Sequence, residues 1–432
     1  MRDPLGSIRV GSEHIYRSLY LALPPDHFLH DGAARKMVEL GQLVPFQLIT
    51  EKEITSPRIA FVTYPHEWCN AQFLDAAELT LALSEAALPR GHELKDASAW
   101  NVIFDGCKPV FCDHLSFQKI SDKRWWAFAQ FVRHFILPLC LAKYRQLNAS
   151  ASFVISRDGI DPDVGRSLMG ARRFFTRYWL LLLKPRASAQ AGRSHAGVAS
   201  NTNHKNLYAM TRWLLDGVRH VRRSTSTWLN YTEERAHYTQ LASGEKYRVV
   251  GTWLAALAPA WVIDLGCNTG EFSKLAASAG AKVVAIDMDH ESVQELYLSN
   301  KGEQIYPVVA NFDDLSGGRG WGGNEFPGLL TRLVDHADML MMLAVVHHLA
   351  ISSAIPYDTI AATAAGLTKR YLIIELLDAG DPLVQQLAAQ RSRLPAEFSI
   401  SLQRNAFDRY FTTLEIIDIP ESSRQLLLME KK

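Results

Sequence analysis

Four residues able to do chemistry fall in one short run, Asp264-Leu265-Gly266-Cys267-Asn268-Thr269-Gly270, directly after the apolar stretch 261–263. An acid that ends a strand, a glycine turn and the start of a helix together form a binding site. Gly266 lets the backbone approach a ligand closely, and Gly270 opens the helix. The helix N-terminus then offers free N–H groups and a partial positive charge to an anion. Asp264 suits a cationic ammonium. A dinucleotide fingerprint reads GxGxxG and a phosphate loop ends in Gly-Lys-Ser/Thr. This turn reads GxNxG and matches neither. A second acid, Asp287, ends the next apolar run about 20 residues on, the spacing that suits ribose hydroxyls. Met288 and Asp289 follow it. A third apolar run ends at Asn311-Phe312. Asn311 could read an adenine edge, with Phe312 or Met288 packing on the ring.

These residues require elements to hold them. From about residue 226 the pattern alternates between strand and helix periods. Strands are expected at 262–264, 282–286, 306–310, 339–345 and 371–376, and helices at 271–278, 291–298 and 358–367. Two final β-rich runs, 414–419 and 424–429, have a connection short enough for an antiparallel pair. Repeated βα units and a terminal hairpin imply a doubly wound α/β sheet with one antiparallel strand.

The ordered runs DLGCNTG (264–270), VVAIDMD (283–289), VVANFDD (308–314) and ADMLMMLAVVHHL (337–349) resemble the motif series of class I S-adenosylmethionine-dependent methyltransferases. The resemblance covers about residues 226–432. It implies a Rossmann-like sheet of seven strands, mostly parallel, and S-adenosyl-L-methionine as cofactor. The cofactor-binding residues would be Asp264, Gly266, Cys267, Asn268, Gly270, Asp287, Met288, Asn311 and Phe312. In that fold the end of the fourth strand lies beside the sulfonium, which makes His347 and His348 candidate bases, His347 slightly preferred. Glu375 and Asp378 are the other carboxylates expected on the rim. Methyl transfer from a sulfonium is an in-line displacement, so position and alignment matter most. No metal is called for. No Asn/Asp-Pro-Pro-Tyr/Phe run follows the fourth strand, as adenine amino-methylation would need. No Pro-Cys is there either, as cytosine C5 chemistry would need. An oxygen acceptor remains: a small molecule, a saccharide or a lipid-linked glycan. An RNA or protein acceptor, and a non-catalytic scaffold that only binds the cofactor, are the alternatives.

The first 184 residues mix short strands and helices. A strand is expected at 59–64, a helix at 73–87, a hairpin across 101–112 and a kinked helix or helix pair at 125–147. Asp96, Asn101 five residues later and Asp113 beyond the hairpin have the base and metal-ligand spacing of phosphotransferases. The pattern resembles the aminoglycoside-phosphotransferase branch, with Asp96 as base and Asn101 and Asp113 as metal ligands. Leu94 replaces the usual histidine, however. No glycine-rich loop precedes it, Lys36 lies in a helical pattern and Lys52 in a charged turn. The reading is a degenerate kinase-like α+β domain that binds substrate. YPHEW (64–68), LKDASAWNV (94–102) and QFVRHFILPL (130–139) extend the resemblance to a bacterial methyltransferase family that includes nodulation-associated methyltransferases of rhizobia.

Residues 185–225 read as a basic linker and helix, between domains at 1–184 and 226–432. From 184 to 223 there are eight Lys or Arg and one acid, Asp216, the feature that motivates the RNA alternative. The whole chain balances 46 basic against 45 acidic residues, so total charge does not argue for a nucleic-acid partner. Five scattered cysteines without a CxxC read as a reduced, cytoplasmic protein without structural zinc. Two apolar stretches, 131–142 and 174–183, are shorter than the roughly 20 residues of a spanning helix and are expected as buried helices. Surface contact with a membrane through Phe174, Phe175 and Trp179, flanked by Arg172, Arg173 and Lys184, is the other reading of the second.

Overall fold

The computed structural model describes residues 5–121, 124–183, 201–219, 240–300, 302, 304–392 and 395–432. They fall into two compact units, one within Met1–Ser224 plus Gly320–Phe326, the other within Thr225–Arg319 and Pro327–Lys432.

The first unit is α+β. Strands β1 (Gly6–Val10), β2 (His14–Leu19), β3 (Gln47–Thr50) and β4 (Glu53–Pro57) form an antiparallel sheet ordered β1-β2-β4-β3. β5 (His92–Leu94) pairs with β8 (Phe117–Lys119), and β6 (Val102–Asp105) with β7 (Lys108–Phe111). The expected hairpin is therefore β6–β7. The expected strand at 59–64 is absent. Pro57 closes β4, and Pro65 opens a short 3-10 turn, Pro65–Glu67, so neither end of that stretch can extend a ladder. Thr63 instead accepts the indole N–H of buried Trp68 at 3.0 Å. The helix Asn70–Ala87 buries residues around much of its circumference, Phe73, Leu79 and Leu83 among them, as a central helix must.

The kinked helix runs Phe128–Phe131, a wide turn Val132–Ile136, then Leu137–Arg145. Pro138 has no N–H for the carbonyl one turn back, and the wide turn absorbs this: Leu137 N–H reaches Val132 five residues away. The stretch 131–142 is buried, apart from half-buried Arg133, as expected. The stretch 174–183 is not a buried helix. A 3-10 turn, Gly170–Phe175, leads into irregular turns that leave Phe175 90% exposed. Of the expected linker, 201–205 begins the helix Asn201–Asp216, and 185–200 lies outside the described residues, as does 220–239 of the basic segment and its approach.

The second unit is built on one seven-stranded sheet. Its strands are β9 (Trp261–Leu265), β10 (Lys282–Asp287), β11 (Ile305–Val309), β12 (Ala337–Met342), β13 (Thr368–Leu377), β14 (Phe411–Asp418) and β15 (Arg424–Lys431), ordered β11-β10-β9-β12-β13-β15-β14. β15 runs antiparallel to both neighbours, and the pairs from β11 to β13 are parallel. Helices cover both faces of a parallel sheet, so its strands are apolar at nearly every position. Val262, Ile263, Val283, Val284, Leu340 and Met341 are all fully buried. Strand order reverses at β9, with β10 on one side and β12 on the other. That switch point opens a crevice at the carboxyl ends of the strands.

The expected strand 339–345 stops early, at Met342. Ala344 has φ +56, a left-handed conformation that costs a residue with a Cβ and breaks the ladder.

Candidate active site

The turn after β9 is tied down by backbone hydrogen bonds. Gly266 N–H and Cys267 N–H donate to the Ile286 carbonyl of β10 at 2.8 and 3.1 Å. Gly266 has φ +76, and a Cβ there would stand 2.4 Å from Val345 Cγ2. Gly270, φ +80, precedes the helix Glu271–Ser278, and its Cβ would stand 2.3 Å from Leu296 Cδ1. Both positions thus need glycine twice over, for conformation and for space. Asn268 is also left-handed, at φ +49, and accepts the Thr269 N–H on its own side-chain oxygen.

Asp264 is buried at the end of β9 and accepts the Ser273 hydroxyl. Burial pushes its carboxyl up to about 6, partly opposed by that hydrogen bond. Asp287 accepts Asn268 N–H on one oxygen and Asp289 N–H on the other, each at 2.8 Å. Burial raises its pKa as well, against those two N–H groups. Asp287 therefore locks the first turn to the second. Asp289 in turn caps the helix His290–Ser299.

These loops surround a cavity of about 500 Å³ within the second unit. That falls in the range of small-molecule sites, roughly 300–1,000 Å³. Its wall contains Asp264, Gly266, Cys267, Asn268, Asp287, Met288, Asn311 and Phe312. Gly270 is not on the wall. Its part is to start the helix behind the turn.

The histidine pair divides in a way that reverses the preference for His347. His348 lines the cavity and begins a wide helical turn, His348–Ser352. His347 packs behind it, ring centroids 4.2 Å apart, 3% exposed and off the wall. Neither ring nitrogen of His347 has a hydrogen-bond partner among the described residues. Burial holds His348 down to about 4 and His347 well below the ordinary value, with His348 a further cause for His347. The order follows from the chain path. Left-handed Ala344 turns Leu343, Ala344 and Val345 onto the wall, and the helical turn that follows brings His348 round to it.

Glu375 is not on the rim. It is fully buried, accepts from Lys246 Nζ at 2.6 Å and lies 3.6 Å from Arg424. Asp378 accepts the Ile400 N–H and is off the wall too.

Several wall residues escaped the motif reading, Lys246, Phe272 and Arg391 among them. Lys246 carried a usable signal. It sits on the buried face of the helix Gln240–Leu257 with Ala242, Val249, Val250 and Trp253. A lysine in an apolar helical stripe needs a partner. Its ammonium also lies 5.1 Å from the centre of the Phe272 ring. Arg391 follows the helix Pro382–Gln390 and had no signal in any motif.

In the first unit, Arg17 of β2 donates to Asp113 at 2.7 Å. Burial and then the Asp113 charge raise the pKa of Asp96. An arginine thus stands against Asp113, the one carboxylate that the phosphotransferase spacing assigned to a metal.

No protein-family profile matches the chain. It is 26% identical over 455 aligned positions to "Nodulation protein NoeA" of Rhizobium meliloti (strain 1021), spanning 100% of this chain and 95% of that protein. Among solved structures it is similar to magnesium protoporphyrin IX methyltransferase from Synechocystis PCC 6803 with bound SAM. That match has 17% identity and a TM-score of 0.33 and covers 55% of this chain and all of that one. It is likewise similar to the N-methyltransferase NodS from Bradyrhizobium japonicum WM9, with 11% identity, a TM-score of 0.33, and coverage of 44% and 97%.

Proposed function

We propose that the chain is an S-adenosylmethionine-dependent methyltransferase that methylates a hydroxyl of a small molecule, a saccharide or a lipid-linked glycan. One observation carries the reading. The cavity at the β9 switch point has one carboxylate from the first strand, another from the second and Asn311 from the third on a single wall. The residues suit the cofactor. Asp264 is a buried carboxylate whose charge a ligand ammonium would stabilise. Asp287 presents its carboxylate on the same wall, where it suits ribose hydroxyls. Asn311 can address the adenine edge, with Met288 or Phe312 against the ring.

S-adenosylmethionine, when bound, supplies a methyl group already activated on a sulfonium. The chain's own task is then to align the acceptor and take its proton. His348 is the wall residue suited to that. Burial keeps its imidazole neutral at pH 7 and makes it a weak base, so it takes the proton as the new O–C bond forms and the hydroxyl becomes acidic. His347 holds the His348 ring in place by packing.

Residues 226–432 would carry this activity. We read residues 1–184 as a degenerate kinase-like domain that binds substrate and 185–225 as a basic linker and helix. Arg17 against Asp113 supports the loss of phosphotransfer, since the carboxylate that would hold a metal already has a cationic partner.

Titration calorimetry with S-adenosylmethionine and the purified chain tests the cofactor. Binding that Asp287→Ala weakens at least tenfold is expected. Incubation with methyl-labelled cofactor and a pool of hydroxylated glycans then tests the acceptor. Absence of any cofactor binding would remove the reading, and binding without transfer to any acceptor would leave a cofactor-binding scaffold in its place.

A further inference from the structure

The first unit displays aromatic and aliphatic side chains that nothing in the fold requires to be outside. In the stretch 172–183, Tyr178 and Leu182 point inward and are fully buried. They fix the orientation of the rest. Tyr178 donates its hydroxyl to the Leu214 carbonyl at 2.9 Å, docking the segment on the helix Asn201–Asp216. The residues between are turned out: Phe174 is 57% exposed, Phe175 90%, Trp179 40% and Leu180 62%. Trp213, half exposed on the docked helix, joins them through Arg177, whose guanidinium lies 4.6 Å from its ring centre.

The segment itself is basic. Residues 164–183 contain four arginines and no acid. Arg172, Arg173 and Arg177 donate to the carbonyls of Tyr144, Gly170 and Trp213. No carboxylate lies within ion-pair distance of these three among the described residues. Arg173 also stacks over Phe174 at 4.3 Å. A protein partner's surface would usually offer mixed charge. Large outward aromatics ringed by uncompensated guanidiniums match the layered chemistry of a lipid interface instead, acyl boundary beneath and anionic headgroups at the rim.

We propose that this face of the first unit binds the surface of an anionic membrane, with Phe174, Phe175, Trp179 and Leu180 entering the headgroup–acyl boundary. Arg172, Arg173 and Arg177 would hold lipid phosphates. Contact would be peripheral, since no helix among the described residues is long and apolar enough to cross a membrane. The inference rests on the first unit alone and does not depend on the methyltransferase reading.

Co-sedimentation of the full chain with sucrose-loaded vesicles tests it. Vesicles of phosphatidylcholine containing phosphatidylglycerol should retain the protein at low salt, and vesicles of phosphatidylcholine alone should retain much less. Phe175→Ser combined with Leu180→Ser should weaken partition by about tenfold or more, since each removes a large apolar group from the interface. Arg172→Gln with Arg173→Gln should weaken it on anionic vesicles and flatten its salt dependence. Both variants change exposed side chains, and an unchanged thermal midpoint will show that they fold. No retention on anionic vesicles at low salt, or equal retention of the Phe175/Leu180 variant, would overturn the proposal. So would concentration-dependent self-association that the same variant abolishes, which would assign the face to a second copy of the chain.

Discussion

Lys246 and Glu375 form a buried ion pair, Nζ to Oε2 at 2.6 Å, with the lysine on the cavity wall and the carboxylate behind it. The pair continues inward. Arg424 lies 3.6 Å from the other Glu375 oxygen, and its guanidinium pairs with buried Asp381 at 2.7 Å. Two cations and two carboxylates alternate, so the group is neutral as a whole. Charge buried in this way is tolerated only while each member keeps its partner.

Breaking the pair from one side should therefore cost more than removing it entirely. Lys246→Met removes the 2.6 Å partner of Glu375 and is expected to destabilise the chain by about 3 kcal/mol. Adding Glu375→Gln should recover part of that loss. Urea unfolding of the two single variants and the double variant gives the coupling. Strictly additive effects would show that the two charges do not support each other.

Gly266→Ala should damage the site through geometry alone. The new methyl group meets Val345 Cγ2, and the φ of +76 is itself unfavourable for alanine. The conformational part costs about 1–2 kcal/mol. Cofactor affinity measured by calorimetry should drop by more than the thermal midpoint suggests, because the turn is part of the wall. Val345→Ala in the same chain should restore part of the affinity by making room. No recovery would mean that the backbone conformation, and not the contact, sets the requirement.

The two histidines should separate by assay. If His348 takes the acceptor proton, His348→Ala should lower kcat by about 10²–10⁴-fold. His347→Ala should lower stability and reduce kcat less than His348→Ala does, since it loosens the His348 ring without removing it. The pH profile carries a second signature. A base held down to about 4 stays deprotonated through the neutral range, so the rate should not fall on its account until the pH approaches 4. A profile with a limb near 6.5 that disappears in His348→Ala would place His348 in ordinary solvent and contradict its burial.

Asp264 should trade stability for binding. Its carboxyl is raised to about 6 in the folded chain. The folded state thus binds more protons than the unfolded state between about 4 and 6. This contribution disfavours folding above that window and fades as the pH falls through it. Asp264→Asn keeps a group able to accept from Ser273 and removes the buried charge. At pH 7 it is expected to raise stability on the order of 1–3 kcal/mol while abolishing cofactor binding. Melting curves at pH 7 and pH 4.5 check this, since the gain should shrink at the lower value. A variant less stable than the parent at pH 7 would show that the charge is already compensated.

The second unit's elements were legible because their causes are local. Helix 271–278 matched its observed bounds, and the strands on either side of it came within one residue at each end. Apolar runs of strand length, interrupted by Asp264-Leu265-Gly266 and by Asp287, leave little freedom for the chain. The same locality makes the glycine turn legible: the left-handed conformations at Gly266 and Gly270 are requirements of their own backbone. The strand expected at 59–64 failed because prolines at both ends deny it a ladder, and Thr63 turns to the Trp68 indole instead. The helix expected at 174–183 failed because spacing alone does not say what will cover its apolar side.

What the amino-acid sequence determined by itself was the βα alternation, the glycine positions and the acids that end β9 and β10. Each depends on φ preference or on period, which neighbours in the chain control. Only the tertiary structure decided which of two adjacent histidines meets the cavity, and that Glu375 serves Lys246 and Arg424 and not the rim. It also decided that a lysine 18 residues before Asp264 stands on the same wall. Those outcomes depend on how helices and strands pack across long sequence separations, where burial and charge pairing, not local propensity, select the arrangement.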